Sequence, residues 1–69
     1  MKYAIVIEKS ETGYGAYVPD LPGCVAVGET MEETQTLLRE TVEFHLEGLR
    51  SDGAAIPEPT SRAEYVELT

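Results

Sequence analysis

The sequence has one cysteine and one histidine among its 69 residues. A single cysteine excludes an internal disulfide, and the absence of a Cys/His cluster excludes the usual ligand set of a structural zinc site. The chain is also shorter than the roughly 70–80 residues at which one hydrophobic core suffices without such links. We therefore expect a single domain spanning residues 1–69 that gains further burial against another chain, by self-association or with a partner.

Basic residues are scarce as well: five Lys and Arg stand against 13 Asp and Glu, and the formal net charge is −8. This charge opposes approach to phosphate backbones and anionic membranes, so we expect neither direct nucleic-acid binding nor membrane association, and a basic partner is favoured. An acidic surface that serves solubility alone is the alternative. No long apolar run or small-residue cleavage site marks a signal peptide, which predicts a cytoplasmic protein.

Short stretches rich in β-branched and aromatic residues predict three strands. YAIVIEK, residues 3–9, and GYGAYVP, residues 13–19, flank the turn cluster SETG and predict a β-hairpin, with Gly13 able to adopt a positive φ. Pro19 ends the second strand because it has no N–H, and GCVAVGE, residues 23–29, predicts a third. The economical arrangement is three consecutive antiparallel strands.

A helix is predicted after the third strand. Thr30 to Glu33 match the capping box, and apolar residues then recur at helical spacing on one face while charged residues occupy the other, up to a stop at Gly53. Two prolines make the following segment an extended connector, and AEYVEL, residues 63–68, predicts a fourth strand at a sheet edge. The predicted fold is α+β in the order β-β-β-α-β, with an antiparallel sheet packed on one main helix.

The titratable residues do not form a catalytic pattern. His45 lies on the apolar stripe of the helix, where a packed histidine is expected, and Cys24 has no basic neighbour to activate it as a nucleophile. The carboxylates fall on turns and at the helix start, and not at the converging strand positions that a two-metal site needs. We therefore expect no enzymatic activity, no metal and no cofactor.

The corner VPDLPGC, residues 18–24, stands between the second and third strands. Its Pro22-Gly23 pair has the order of a type II turn, in which glycine takes the positive φ. Asp20 is expected to accept hydrogen bonds from nearby turn amides. For Leu21 two interpretations are equally open: it closes the base of the core, or it is presented as a docking anchor.

The corner carries a resemblance to a known family. The run from Val18 to Cys24, then Gly28-Glu29-Thr30 and Glu33, resembles the signature of HicB-like antitoxins, also called UPF0150-like proteins. The entry to the second strand at residues 13–16 and the IPEP segment at residues 56–59 agree with it too. The resemblance covers nearly the whole chain as one HicB-like domain, and it implies a partial RNase H-like fold, β-β-β-α-β.

The resemblance also implies a toxin–antitoxin role. Proteins of this family cover a small HicA toxin, a ribonuclease similar to double-stranded-RNA-binding domains, and an acidic inhibitor suits a basic enzyme. We therefore expect this chain to form a homo-oligomer and to mask the active surface of a HicA-like toxin. The alternative is a stand-alone oligomeric interaction or small-ligand-binding module of the same fold. The expected contact residues are Asp20, Leu21 and Pro22 at the corner, with Glu29, Glu32 and Glu33 as an acidic rim.

One departure from the family pattern concerns DNA. Full-length members often carry a C-terminal helix-turn-helix or ribbon-helix-helix segment, whereas this sequence ends at Thr69, directly after the predicted fourth strand. Operator binding by this chain is therefore not expected.

Overall fold

The computed structural model describes residues 1–69 and contains three strands and one helix. The elements are β1 (Val6–Lys9), β2 (Tyr14–Tyr17), β3 (Val25–Gly28) and α1 (Met31–Ser51). The strands form one antiparallel sheet in the order β1-β2-β3. The predicted α+β class, with an antiparallel sheet on one helix, is confirmed. No helix is both long enough and apolar enough to cross a membrane.

Each strand is shorter than the stretch that predicts it. Val6 pairs with Tyr17 at one end of the hairpin, and shortly after the end of β2 the chain reaches Pro19, which has no N–H to donate. The Cα pairing also places Tyr17 beside Val25, so these three residues form a row across the outer face of the sheet. The next row, which contains Ala16 and its partners, faces α1.

The core between the sheet and α1 is small. Only seven of 69 residues are buried. The buried side chains come from β2, β3, the corner and the helix: Ala16, Val18, Leu21, Cys24, Ala26, Thr34 and Leu38. A single chain with so little buried apolar surface gains limited stability from its own core.

The hairpin turn differs from the sequence prediction at one residue. The N–H of Ser10 donates to the carbonyl oxygen of Gly13 over 2.8 Å, but Gly13 does not adopt a positive φ. Its lack of a side chain serves a close approach, because a Cβ at Gly13 would collide with the carbonyl oxygen of Gly28. The glycine is therefore required by the neighbouring strand and not by the turn.

Both ends of α1 have the predicted caps. The N–H of Glu33 donates to Oγ1 of Thr30 over 3.0 Å, which is one half of a capping box. At the other end Gly53 has a φ of 70°, its N–H donates to the carbonyl oxygen of Arg50, and that of Ala54 donates to Leu49. These two bonds form a Schellman motif, so the helix stops where the glycine predicts.

The fourth strand predicted at residues 63–68 does not form. Residues 54–69 have no regular secondary structure, and Tyr65, Val66 and Leu68 are 100%, 80% and 86% exposed. The apolar pattern of this segment indicates a propensity to form a strand. A strand also needs a free edge of a sheet within reach. In the single chain this segment lies on no edge, and its propensity is left unused.

Candidate partner-binding site

The corner between β2 and β3 is a rigid turn. Gly23 has a φ of 88°, and the N–H of Cys24 donates to the carbonyl oxygen of Leu21 over 3.1 Å. These are the features of the predicted type II turn. A further bond of 3.2 Å from the N–H of Val18 to the carbonyl oxygen of Cys24 closes the corner. Its backbone is therefore fixed before any partner binds.

Leu21 occupies the core and not the surface. Its side chain is 1% exposed and packs with Val18, Cys24 and Leu38 in the buried cluster. Of the two interpretations of this residue, the structure places it at the base of the core. Pro22 beside it is exposed, so the corner presents proline to the solvent while leucine holds the turn in place.

Asp20 is bonded to a distant segment and not to the turn amides that the sequence suggested. Its carboxylate accepts from the N–H and Oγ1 of Thr60 at 2.8 and 3.0 Å, and from the N–H and Oγ of Ser61 at 2.9 and 2.8 Å. These donors, above all the N–H of Ser61, lower the pKa of Asp20 from 3.8 to about 2. We call these four bonds the Asp20 clamp. No sequence signal links residues 40 positions apart.

A second bond fixes the same segment at the start of β1. The hydroxyl of Tyr3 donates to the carbonyl oxygen of Pro57. Tyr3 and Asp20 lie at the same end of the sheet, because continuing the pairing of Val6 with Tyr17 brings them opposite each other. Residues 57–61 therefore cross this end of the sheet from the β1 side to the β2 side.

The acidic rim lies away from the corner. Glu29, Glu32 and Glu33 are all exposed and surround the start of α1, beyond the last residue of β3, whereas the corner precedes the first residue of that strand. Four residues of strand span roughly 13 Å. The expected contact residues therefore form two groups at opposite ends of β3, and their role in binding stays a prediction.

The corner forms one side of a groove with the second half of α1. The groove has a volume of about 340 Å³ and includes Gly23, Cys24, Phe44 and His45 in its lining. We call it the corner groove. Phe44 is 80% exposed, an unusual position for a large apolar ring. The sequence analysis missed this residue because it lies off the apolar stripe of the helix.

A larger groove, of about 880 Å³, lies between the N-terminal residues and α1. Its apolar lining comes from Met1, Tyr3, Ile5, Leu38 and Val42. We call it the N-terminal groove. Its N-terminal lining residues directly precede β1, and the side of β1 that faces away from β2 is an edge of the sheet without a partner.

Neither groove has the features of a reactive centre. Cys24 is 1% exposed, and burial raises the pKa of its thiol, which keeps the thiol protonated and unreactive. No three His, Cys, Asp or Glu side chains come together in an arrangement that could hold a metal ion. The geometry of both grooves suits contacts with another protein chain.

Comparison with known proteins gives a consistent assignment. A family model described as the HicB_like antitoxin of bacterial toxin-antitoxin system matches residues 3–68. The chain is 38% identical over 66 residues to a 14.9 kDa protein from the rep-hol intergenic region of Haemophilus phage HP1, covering 96% of this chain and 50% of that protein. It is 29% identical over 69 residues to Antitoxin HicB 2 of Photorhabdus laumondii, covering 99% and 50%. The chain thus spans about half the length of these two curated relatives.

A solved structure agrees with the sequence relatives. The fold matches a chain of the structure described as the HicA3 and HicB3 toxin-antitoxin complex with a TM-score of 0.71 and 32% sequence identity, over 87% of this chain and 70% of that chain. Since the family model covers nearly all residues and the fold agrees, the chain belongs to the HicB-like antitoxin family.

Proposed function

We propose that this chain is an antitoxin that binds a small basic HicA-like ribonuclease toxin and neutralises it by covering its active surface. The observation that carries this proposal is the shared fold with a chain of the HicA3 and HicB3 complex, at 32% identity. The net charge of −8 supports it, because an acidic inhibitor is attracted to a basic enzyme over a long range. The chain acts by binding, without catalysis, in the cytoplasm.

The contact surface that we propose has a centre and an acidic periphery. The centre is the corner, with exposed Pro22 beside Asp20, extended by Phe44 across the corner groove. A rigid turn and a large exposed ring are favourable for binding, because little conformational freedom is lost when the partner arrives. Leu21 contributes by fixing the corner from the core. Glu29, Glu32 and Glu33 form the acidic periphery at the far end of β3.

The test is co-purification of the chain with the product of the adjacent gene, followed by an RNA-cleavage assay with and without the chain. We expect a stable complex without cleavage. Phe44→Ala should weaken the complex by at least about fivefold, because aromatic anchors typically contribute more than about 1 kcal/mol to an interface. Glu47→Ala, an exposed residue of the same helix outside both grooves, is the matched control and should leave the affinity unchanged.

Two outcomes would contradict these proposals at different levels. A chain that neither binds nor silences any such toxin would contradict the antitoxin function. A complex whose affinity is unchanged within about twofold by both Phe44→Ala and Pro22→Ala would retain the function and place the contact surface elsewhere.

We further propose that the chain works as a homo-oligomer. Only seven residues are buried in the single chain, and large apolar side chains are exposed on the outer sheet face and in the C-terminal segment. Exposed apolar surface of this kind marks sites of association. Light scattering coupled to size exclusion measures the assembly mass directly, against the chain mass of 7.6 kDa.

A further inference from the structure

The C-terminal tail, residues 62–69, is exposed along its whole length. The radius of gyration of the molecule is 13.5 Å, whereas a compact domain of this size has a radius of roughly 11 Å. The tail nevertheless carries Tyr65, Val66 and Leu68, and large apolar residues are costly to leave in water. A segment with strand propensity that projects from a small domain is suited to pairing with an edge outside its own chain.

The start of the tail is held in a fixed position. Residues 57–61 are bonded first to Tyr3 and then to the Asp20 clamp, and this path leads from the β1 side of the sheet to the β2 side. The free edge of β1 lies on the opposite side of that strand from β2. To pair with its own β1, the tail would have to reverse direction directly after Ser61. The clamp therefore directs the tail away from the edge of its own chain.

The edge that could receive such a strand is present on every copy. β1 is hydrogen-bonded to β2 on one side only, so its other side exposes unpaired N–H and C=O groups. The N-terminal groove lies where the chain enters β1 and has apolar side chains from Ile5, Leu38 and Val42 in its lining. An added strand would thus find backbone partners along β1 and an apolar floor in the groove.

The residue pattern of the tail fits this location. Side chains alternate along a strand, so Val66 and Leu68 point to one face and Tyr65 to the other. With Val66 and Leu68 directed into the groove, Tyr65 comes to the outer face of the sheet, beside the exposed row that begins at Val6 and Tyr17. Both faces of the tail then meet apolar partners, which is the arrangement that stabilises cross-strand pairs.

We propose that residues 62–69 of each copy add as a strand to the free edge of β1 in a second copy, with Val66 and Leu68 in the N-terminal groove, so that two chains exchange tails in a symmetric dimer. This pairing rests on the homo-oligomer proposed above and requires no toxin. Two tails and the two grooves that receive them bury on the order of 1,200 Å², the lower end of stable interfaces. The exchange is self-complementary, as two-fold symmetry demands.

The first experiment measures the assembly mass of the wild-type chain and of the double variant Val66→Asp/Leu68→Asp. We expect the wild type to have twice the 7.6 kDa chain mass and the variant to be monomeric at the same concentration. Its circular dichroism should keep the signal of α1, since the tail lies outside the core. Glu67→Gln, in the same tail but on the opposite face, is the control and should remain dimeric.

The second experiment identifies which chain receives the tail. A chain with Ile5→Cys and a longer, tagged chain with Leu68→Cys are mixed and oxidised; Cys24 is buried and does not compete. We expect a disulfide-linked heterodimer, and none when Glu47→Cys replaces Leu68→Cys. A crosslink that forms only within a chain carrying both substitutions would overturn the exchange and restore the tail as an intramolecular strand.

The outcomes separate the two proposals. A wild-type monomer would overturn both the oligomer and the exchange. A dimer that survives Val66→Asp/Leu68→Asp would keep the oligomer and overturn the exchange. A tail variant that stays dimeric but loses its complex with the toxin would assign the tail to the toxin and also overturn the exchange.

Discussion

At the residue scale, the Asp20 carboxylate is the group most tightly surrounded by donors. It accepts four hydrogen bonds from Thr60 and Ser61. Because hydrogen bonds to the charged form favour ionisation, they lower the pKa of Asp20 to about 2. The ionised carboxylate is thus what holds the segment before the tail against the body.

This predicts an acid-dependent release of the segment at residues 60–61. The pKa of Asp20 is lower in the folded chain, so the clamp is at full strength above the ordinary value of 3.8 and is lost as the pH falls through about 2. Amide signals of Thr60 and Ser61 in NMR spectra should shift as the pH falls towards about 2, and their protection from hydrogen exchange, relative to the intrinsic rate at each pH, should decrease. In Asp20→Asn the amides should show no titration in this window. A titration that persists in Asp20→Asn would contradict the assignment.

How far single residues can be read from sequence depends on the range of their interactions. Pro22 and Gly23 were predicted correctly because a type II turn is a local backbone problem with few solutions. The burial of Leu21 was left open and the predicted partners of Asp20 were wrong, because both depend on contacts with residues far along the chain. Phe44 was missed because it lies off the apolar stripe by which the helix was recognised.

At the scale of elements, β3 and α1 approach each other closely at Gly28. A Cβ at Gly28 would lie 2.6 Å from Oγ1 and 3.2 Å from Cα of Thr34. Thr34 is fully buried, and its hydroxyl already donates to the carbonyl oxygen of Thr30 over 2.8 Å. The threonine has no free direction in which to move.

We therefore predict that Gly28→Ala lowers the free energy of unfolding by about 1–3 kcal/mol, the usual cost of overpacking. Chemical denaturation at one fixed protein concentration measures it. Gly15→Ala is the matched control, because Gly15 also lies in a strand but nothing lies within 4 Å of its added Cβ; its effect should stay within about 0.5 kcal/mol. Equal losses in the two variants would show that strand conformation, and not contact with Thr34, requires the glycine.

Elements with local signals were predicted well. The capping threonine, the apolar stripe and Gly53 define α1 from sequence, and the hairpin follows from alternation on both sides of a turn cluster. The predicted fourth strand shows the limit of this reasoning. The residue pattern of a segment indicates which of its faces can be buried. The sheet edge with which it pairs is determined by the tertiary or quaternary structure.

At the scale of the whole molecule, the net charge of −8 is the dominant property. Long-range attraction accelerates the encounter with a basic partner, and salt screens it. We predict that the association rate with a basic toxin falls by on the order of tenfold when ionic strength rises from about 0.01 to 0.15 M, while the dissociation rate changes little. Stopped-flow or surface-based kinetics measure both rates.

The acidic periphery provides a variant for this prediction. Glu32→Gln/Glu33→Gln should slow association at low salt and flatten its salt dependence, since these exposed carboxylates contribute to the field at one end of the molecule. Removing two exposed carboxylates of the tail instead, by Glu64→Gln/Glu67→Gln, changes the net charge equally and tests position. Identical effects of the two double variants would mean that only total charge matters.

The Asp20 clamp joins two surfaces that would otherwise be independent. Asp20 belongs to the corner, where we propose that the toxin docks, and it orients the tail, through which we propose that two copies exchange strands. A toxin that strengthens or breaks these bonds must alter the affinity of one antitoxin copy for another, and dimerisation must alter toxin affinity by the same factor. Neutralisation would then depend cooperatively on the antitoxin's own concentration relative to its dimerisation constant, in addition to the ratio of antitoxin to toxin.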